Sequence, residues 1–346
     1  MKKQAITIED VARAASVSRQ TVSRVINRMP SVSAKARERV ESAIAQLGYS
    51  PNLAARRMGG ARSFLIMAIN DRARTIENWA AGRGNDWVDQ MLYGGMMACE
   101  ARGYHMLFEL VDTDQEEAVR QVRRVLSSLQ PDGIILTQPH SQNAALVEML
   151  KEQGKPYARI DLPSDNIDGV SIHMNEESAA ESATRYLIGL GHERIGFLAG
   201  SAEYAGSHFR KDGYLEAMDS AGLEPLLDSA DFSFDRAADM ARLWLGRQAR
   251  PTAIIAENDE MAFAVLHVAD ELGIEVPKHL SVISFEDTPG VRFSVPPLTA
   301  IRQPTAAMIA RACEILMDAA EGEESNDETV LPFQLIKRET TGPAPR

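Results

Sequence analysis

The stretch Thr7-Ile-Glu-Asp-Val-Ala-Arg-Ala-Ala-Ser-Val-Ser-Arg-Gln-Thr-Val-Ser-Arg-Val-Ile26 predicts two short helices joined by a tight turn. Thr7, with Asp10 three positions later, forms the pattern that caps a helix N-terminus. Ser18 follows the turn and is predicted to cap the second helix. This spacing is typical of the helix-turn-helix motif, whose second helix enters the major groove of DNA.

The second helix has the side chains that such a groove requires. Apolar positions at Val22, Val25 and Ile26 predict its inward face, which turns Arg19 and Arg24 outward together with Gln20 and Ser23. Arg can bind guanine edges, Gln can bind adenine edges, and hydroxyls can bind phosphates. The predicted DNA-contacting residues of this head are Thr7, Ser18, Arg19, Gln20, Thr21, Ser23, Arg24, Asn27 and Ser33. The alternative is an ordinary helical bundle with a solvated basic face.

A third helix, capped by Ser33 and ending at Gly48, closes the predicted head. Charge separates this head from the rest of the chain. Residues 1–62 contain 12 Lys and Arg against 4 Asp and Glu, a net charge of +8, so residues 63–346 carry −20 and the total is −12. A basic head on an acidic body indicates nucleic-acid binding at one end and a different task at the other.

The segment 52–58 is a short basic helix candidate stopped by two glycines. Seven residues are too few for a stable isolated helix, so we expect it to order only against a partner. Two copies in a widened minor groove would suit Asn52, the small Ala55 and the apolar wedge Met58. The alternative is a basic linker.

From Leu65 onward, short apolar strands alternate with helices. This alternation predicts an α/β body with doubly wound parallel sheets, whose ligands bind at the carboxyl ends of the strands. Polar residues gather at those ends, among them Asn70, Asp71, Asp161, Asn258 and Glu286. They suit a polyhydroxylated ligand, although some of them are expected to act only as helix caps. Asp259 is the strongest candidate for such a cap.

Composition narrows the class of protein. The start of the chain shows no signal peptide, and no run of 18 apolar residues is present, so we expect a cytoplasmic protein. Cys99 and Cys313 are predicted to be reduced core thiols, and the seven histidines lack metal-ligand spacing. No nucleotide-binding glycine motif follows a strand. We therefore predict no enzyme activity, no catalytic residues, no metal and no cofactor.

The chain resembles the LacI/GalR (lac repressor) family of bacterial transcription regulators. The head carries this resemblance through residues 6–12, 17–27 and 48–52, and the body carries it through 190–196, 258–262, 296–299 and 302–304. The resemblance implies a helix-turn-helix headpiece and a two-lobed body with the fold of type I periplasmic sugar-binding proteins. The implied effector-contacting residues are Asp161, Arg210, Asn258, Glu286 and Gln303, with Phe232 as a stacking platform. The strand-end residues Asn70 and Asp71 complete the predicted effector site.

Several positions depart from the family pattern. Members vary at the position of Arg19, often have Leu at the position of Met58, and most often have Asp at the position of Glu286. Residues 72–84 extend a loop by about a dozen residues beyond the usual family length. This extension predicts either a cover for the ligand or a disordered surface insertion. The tetramer-forming helix of some relatives is missing after Leu335, so a homodimer is expected.

These observations predict a repressor that binds a palindromic operator and responds to a sugar, sugar phosphate or glycoside. The predicted domains are a headpiece at 1–50, a hinge and linker at 51–62 and an effector-binding and dimerisation domain at 63–346. Within that domain, one lobe is predicted from about 63–161 plus 304–322 and the other from about 162–290 plus 326–340. The alternatives are a sugar-binding protein without catalytic activity and a nucleotide-dependent oxidoreductase.

Overall fold

The computed structural model describes residues 6–26, 31–49, 62–83, 85–163, 169–323 and 328–345. The head contains α1 (Ile8–Ala15), α2 (Arg19–Ile26) and α3 (Ala34–Leu47). The predicted caps are present, because Thr7 and Asp10 form a capping box on α1 and the Ser33 side chain accepts a hydrogen bond at the start of α3. Buried residues from all three helices, including Val11, form one small core.

The body has two lobes, each built on a six-stranded sheet among the described residues. In the first sheet the strand order is β11-β5-β4-β3-β1-β2, and all neighbouring strands are parallel. Its strands are β1 (Leu65–Asp71), β2 (His105–Val111), β3 (Gly133–Leu136), β4 (Tyr157–Ile160), β5 (Val170–His173) and β11 (Glu328–Val330).

The second sheet has the order β12-β10-β9-β8-β6-β7, and only its β10–β12 pair is antiparallel. Its strands are β6 (Ile195–Ala199), β7 (Leu226–Ser229), β8 (Ala253–Ala256), β9 (Ser281–Glu286), β10 (Thr299–Arg302) and β12 (Gln334–Ile336). The predicted α/β architecture with a helical head is thus confirmed.

Helices cover both faces of the sheets. The described helices of the body are α4 (Arg72–Ala80), α5 (Asp86–Ala101), α6 (Gln115–Leu129), α7 (Ala144–Glu152), α8 (Glu176–Gly189), α9 (Ala205–Ser220), α10 (Phe234–Leu245), α11 (Asp259–Glu271) and α12 (Thr305–Glu321). Strand β1 shows why its run of apolar residues is continuous. Ile66 and Ala68 join one core cluster, whereas Met67 and Ile69 join the cluster on the opposite face.

The predicted lobe boundaries need correction. The sequence pattern places 162–290 and 326–340 in the second lobe, but β5 and β11 pair with each other in the first sheet. The chain therefore leaves the first lobe after His173 rather than after Asp161, and it returns briefly for β11. The two strands have only 4 and 3 residues, so their sequences give no sign of the sheet that they join.

Two glycines allow pairs of helices to pack closely, one pair in each lobe. On α5, a Cβ atom at Gly94 would lie 2.0 Å from the carbonyl oxygen of Ala306 on α12. On α9, a Cβ atom at Gly213 would lie 2.0 Å from the carbonyl oxygen of Glu177 on α8. Only glycine allows such close approach, and the second contact sets the distance between the two helices that carry Glu176 and Arg210.

Candidate functional site

The first candidate surface lies on α2 of the head. Arg19, Gln20 and Arg24 are exposed on one side of this helix, while Val22 and Val25 are buried on the other. The Nε atom of Arg19 lies 3.4 Å from Oε1 of Glu9. The helix thus presents long polar side chains to a partner and is held in place by its apolar side.

The predicted helix caps add donors to this surface. The Ser18 Oγ accepts a hydrogen bond of 3.1 Å from the Thr21 backbone and lies 2.9 Å from the Thr21 Oγ1. Thr7, Ser18 and Ser33 are all exposed at helix N-termini, where backbone N–H groups and the helix dipole favour anions such as phosphate. Ser23 is partly exposed on α2. Asn27, Asn52, Ala55 and Met58 lie outside the described residues.

The second candidate site is a cavity of about 140 Å³ between the two lobes. All eight predicted effector-contacting residues line it: Asn70, Asp71, Asp161, Arg210, Phe232, Asn258, Glu286 and Gln303. Seven of them lie at or just after the carboxyl end of a strand, which explains how the sequence pattern found them. Two adjoining cavities of about 370 and 230 Å³ share Trp87 and Glu286 with it.

An ion pair forms the base of the cavity. Arg210 on α9 donates through Nε to Oε2 of Glu176 at 2.6 Å and through Nη2 to Oε1 at 3.2 Å. Its Nη1 atom donates to the backbone carbonyl of Glu257 at 3.0 Å. Burial alone would lower the pKa of Arg210, but Glu176, together with Glu257 and Asp161, outweighs burial and raises this pKa. Arg210 is therefore a fixed cation whose charge Glu176 already balances.

Carboxyl groups surround this pair. Burial, reinforced by Glu176, raises the pKa of Asp161 to about 7. Burial also raises the pKa of Glu257 to about 7, although Arg210 opposes the shift. The pKa of Glu286 lies well above its usual range because of burial and the nearby charge of Asp259. The cavity thus holds more acidic groups than its cations can compensate.

The insertion at 72–84 adds a helix to the cavity wall. The interpretation as a disordered insertion is wrong for residues 72–80, because Asp71 caps α4 through a hydrogen bond to the Arg74 backbone. Arg74 then reaches the other lobe, where its Nη1 and Nη2 donate to Asp231 at 3.1 and 3.0 Å. Its guanidinium lies over the rings of both Tyr204 and Phe232, with centroids at 5.4 and 5.3 Å, and the two rings contact each other edge to face.

Further polar contacts join the two lobes around the cavity. The Tyr204 hydroxyl donates to Oδ2 of Asp71 at 2.8 Å. Gln138 of the first lobe accepts from the backbone of Gly206 in the second lobe at 3.3 Å, and it is oriented by donating to the Asp161 carbonyl within its own lobe at 2.8 Å. Such contacts must break if the lobes separate, so they link the state of the cavity to the arrangement of the lobes.

One predicted cap is wrong. Asn258, not Asp259, caps α11, since its Oδ1 accepts from the Met261 backbone at 2.8 Å. Asp259 is the first residue of the helix, and its buried carboxyl accepts from Ser284 and from the Thr288 backbone. Asn258 therefore combines a structural role with its place in the cavity wall.

Residues with positive φ cluster around the cavity. Asp161, Asp231, Phe232, Glu286 and Asp287 have φ values of 57°, 53°, 54°, 97° and 61°. Positive φ is uncommon for residues other than glycine and tends to persist where the surroundings impose it, often at binding sites. These residues all lie at the cavity or next to it.

The sequence analysis missed several residues of the cavity wall. They are Arg74, Thr75, Asn78, Asn85, Trp87, Gln138, Glu176, Tyr204, Gly206, Ser207 and Glu260. Gln138 lies just after β3 and was detectable by the strand-end rule. The others sit on helices or loops, where no local pattern distinguishes a cavity residue from a surface residue.

Other classes of site receive no support from the described residues. Within the described ranges, no group of three or more His, Cys, Asp or Glu side chains is arranged to hold a metal ion. Cys99 and Cys313 are buried free thiols. None of the described helices combines the length and apolar character that crossing a membrane requires.

Comparisons with known proteins agree with this geometry. Residues 7–52 match the family model of bacterial regulatory proteins of the lacI family, and residues 184–341 match a periplasmic binding protein-like domain. The chain is 31% identical over 344 residues to the HTH-type transcriptional regulator DegA of Bacillus subtilis (strain 168), covering 97% of this chain and 98% of that protein.

Two solved structures are similar over nearly the whole chain. One is the lac repressor dimer bound to operator and the anti-inducer ONPF, with a TM-score of 0.79, 27% identity and coverage of 98% of this chain and 100% of that chain. The other is a complex of the transcriptional regulator CelR with cellobiose, with a TM-score of 0.71, 29% identity and coverage of 97% and 99%.

Proposed function

Because this chain belongs to the lacI family of bacterial regulatory proteins, we propose that it binds a palindromic operator as a homodimer under the control of a sugar-like effector. It is a DNA-binding transcriptional repressor with a periplasmic binding protein-like effector domain, and the relatives that it matches are regulators rather than enzymes. The observation that carries the proposal is the cavity between the lobes, whose donors and acceptors come from both lobes.

The head is proposed to read DNA. Arg19, Gln20 and Arg24 bind base edges or phosphates, while Thr21 and Ser23 bind phosphates. The caps Thr7, Ser18 and Ser33, together with Asn27, support the docking of this helix. Asn52, Ala55 and Met58 of the hinge act in the minor groove. The division into headpiece (1–50), hinge (51–62) and effector domain (from residue 63) belongs to this proposal.

A homodimer is supported by an apolar face on α5. Tyr93, Met96 and Met97 are 63, 56 and 54% exposed, and their spacing places them on one side of the helix. The same helix begins beside the cavity with Trp87. One element thus joins the cavity to the proposed dimer contact. Two related heads would then read two half-sites spaced by about one helical turn of DNA, roughly 34–36 Å, or a multiple of it.

The effector is proposed to act by shifting populations. A ligand that fits one arrangement of the lobes better than another favours that arrangement in both protomers. Coupling of about 1–3 kcal/mol per site is usual, so two sites per dimer change operator affinity by orders of magnitude. The solved relatives hold ONPF and cellobiose, which supports a sugar or glycoside as the ligand.

Footprinting tests this proposal. The purified protein is incubated with DNA from upstream of its own gene and neighbouring genes, with and without a panel of sugars. We expect protection of a palindrome that one sugar abolishes or strengthens. No specific protection under any condition would contradict operator binding.

A charge-matched pair of variants tests the assignment of α2. Arg24→Ala should weaken binding to the palindrome and reduce its salt dependence, because one contact to DNA is lost. Arg120→Ala removes an exposed Arg on α6 of the body and should leave both unchanged. Equal effects of the two substitutions would refute a specific role for Arg24.

A further inference from the structure

Both arginines of the cavity are already neutralised by protein carboxylates. Arg210 pairs with Glu176 in a two-point contact, and a second carboxylate, Glu257, lies 3.9 Å from its Nη1 atom. Arg74 pairs with Asp231 at 3.0 Å, and its guanidinium lies over two aromatic rings. A phosphate entering the cavity would have to displace one of these carboxylates, because neither arginine has uncompensated charge.

Two acidic residues in the cavity, unlike the two arginines, lack a partner of opposite charge within the described part of the chain. The Oδ1 atom of Asp161 is buried and has no hydrogen-bond partner among the described residues. Glu286 lies near Asp259 and Asp86 and forms no ion pair with any described residue. Burial raises the pKa of Asp161 to about 7, so the cavity already disfavours negative charge before any ligand arrives.

One donor is also unused. The Nε atom of Arg74 is buried without a hydrogen-bond partner in the described structure. A buried donor and a buried acceptor that lack partners cost free energy until a ligand supplies the complementary groups. A hydroxyl group both donates and accepts, so a ligand with several hydroxyls satisfies both atoms.

We propose that the cavity selects an uncharged polyhydroxylated ligand and rejects its phosphorylated or carboxylated counterpart. Hydroxyls of this ligand donate to Asp161 and Glu286 and accept from Nε of Arg74. This inference rests on the proposed effector site and narrows its ligand class, since sugar, sugar phosphate and glycoside were all open from the sequence. Arg210 orients Glu176 and shapes the cavity base, and it does not serve as a phosphate receptor.

The expected discrimination is large. At pH 8, above the pKa of about 7 of Asp161, one added negative charge about 6 Å from its ionised carboxylate, at an effective dielectric constant of about 20, weakens binding about a hundredfold. An exposed site in water would show almost no such difference. The ratio of the two affinities is therefore a direct measure of the proposed selectivity.

Calorimetry on the full-length, DNA-free protein measures this ratio. The probes are glucose, galactose, lactose and cellobiose, each paired with its 6-phosphate. We expect at least one neutral sugar to bind, with its phosphate about a hundredfold weaker. The proposal is overturned if any phosphate binds within tenfold of its neutral parent or more tightly, or if no neutral sugar in the panel binds.

The outcome can be separated from that of the proposed function because this assay contains no DNA. Operator protection without any neutral sugar binding rejects the inference and leaves the repressor proposal intact. Selective sugar binding without operator protection supports the inference about the ligand and rejects the proposal of operator binding. Neither experiment depends on the result of the other.

A variant tests the source of the selectivity. Asp161 has φ of 57°, and Asn tolerates this left-handed backbone, so Asp161→Asn should fold normally. We expect its affinity for the neutral sugar to fall and the disadvantage of the phosphate to shrink at least fivefold. Glu148→Gln, an exposed carboxyl on α7, is the matched control and should change neither affinity. An unchanged ratio in Asp161→Asn would overturn the role given to Asp161.

Discussion

Replacing Arg210 with Met separates the structural cost of the buried ion pair from its effect on ligand binding. The Arg210 side chain is 9% exposed, and its partners Glu176 and Glu257 are 3% and 0% exposed. Met fills much of the same volume without charge. The substitution leaves both carboxylates, and nearby Asp161, without the cation that lies among them.

The size of the effect follows from this burial. Two charges about 4 Å apart at an effective dielectric constant of about 20 attract each other by about 4 kcal/mol. Removing one partner of a buried pair typically costs about 3–5 kcal/mol. We therefore expect Arg210→Met to lower the free energy of unfolding of the second lobe by about 3–5 kcal/mol at pH 8. The double variant Arg210→Met, Glu176→Leu should recover part of this loss.

The destabilisation caused by Arg210→Met should depend on pH, because the carboxyl groups left behind can be protonated. Burial raises the folded-state pKa of Glu257 to about 7 while Arg210 opposes the shift, so loss of the cation raises this pKa further above its unfolded value. A carboxyl with a raised folded pKa stabilises the fold at low pH and loses this contribution as the pH rises through the folded pKa. The cost of Arg210→Met should therefore be smaller at pH 5.5 than at pH 8.

Urea unfolding, followed by the fluorescence of Trp244, measures this cost, because Trp244 is fully buried in the second lobe. Arg185→Met is the matched control, since Arg185 is 53% exposed and pairs with Glu181 within the same helix. A cost below about 1 kcal/mol at pH 8, equal costs at both pH values, or no coupling to Glu176 would refute the reasoning.

Three further predictions test packing, titration and closure of the cavity. Gly94→Ala should destabilise the first lobe by about 2–4 kcal/mol in thermal or urea unfolding, because its Cβ would overlap a backbone carbonyl of α12. The control Gly189→Ala meets open space and should be neutral or stabilising. Because burial raises the pKa of Asp161 to about 7, the wild type should lose unfolding free energy relative to Asp161→Asn as the pH rises from 5 to 8; parallel pH curves would show that this carboxyl titrates normally. Tyr204→Phe removes the hydrogen bond to Asp71 between the lobes and should weaken ligand binding about three- to thirtyfold in calorimetry, roughly the 0.5–2 kcal/mol of one such bond; unchanged affinity would show that this contact does not hold the closed cavity.

Patterns that depend on near neighbours could be predicted from the sequence alone. The caps at Thr7, Ser18 and Ser33 act within one helical turn, so the head was predictable from its own residues. Helix α12 (Thr305–Glu321) has an apolar repeat long enough for its sequence to indicate a helix. The same holds for the polar residues that follow parallel strands, since topology alone brings strand ends to one edge of a sheet.

Contacts between residues far apart in the chain could not be predicted in this way. Short strands such as β5 carry no mark of the sheet that they join. Helix α4 has no strong apolar repeat, so the sequence predicts a loop there and gives no sign that Arg74 crosses the cavity. Asp259 looked like a cap because it precedes a helix, yet its carboxyl is bound by Ser284 and Thr288 on a neighbouring segment.

A basic DNA-reading head and a two-lobed α/β body are both apparent from the residue pattern, as are most of the polar residues at the strand ends. The electrostatics of the cavity depend instead on how the folded chain pairs its charges. Arg74 meets Asp231 across 157 positions of the chain, and Arg210 meets Glu176 across 34. Whether an arginine is free to bind a ligand depends on which carboxylate the fold places beside it, and no local pattern in the sequence specifies that neighbour.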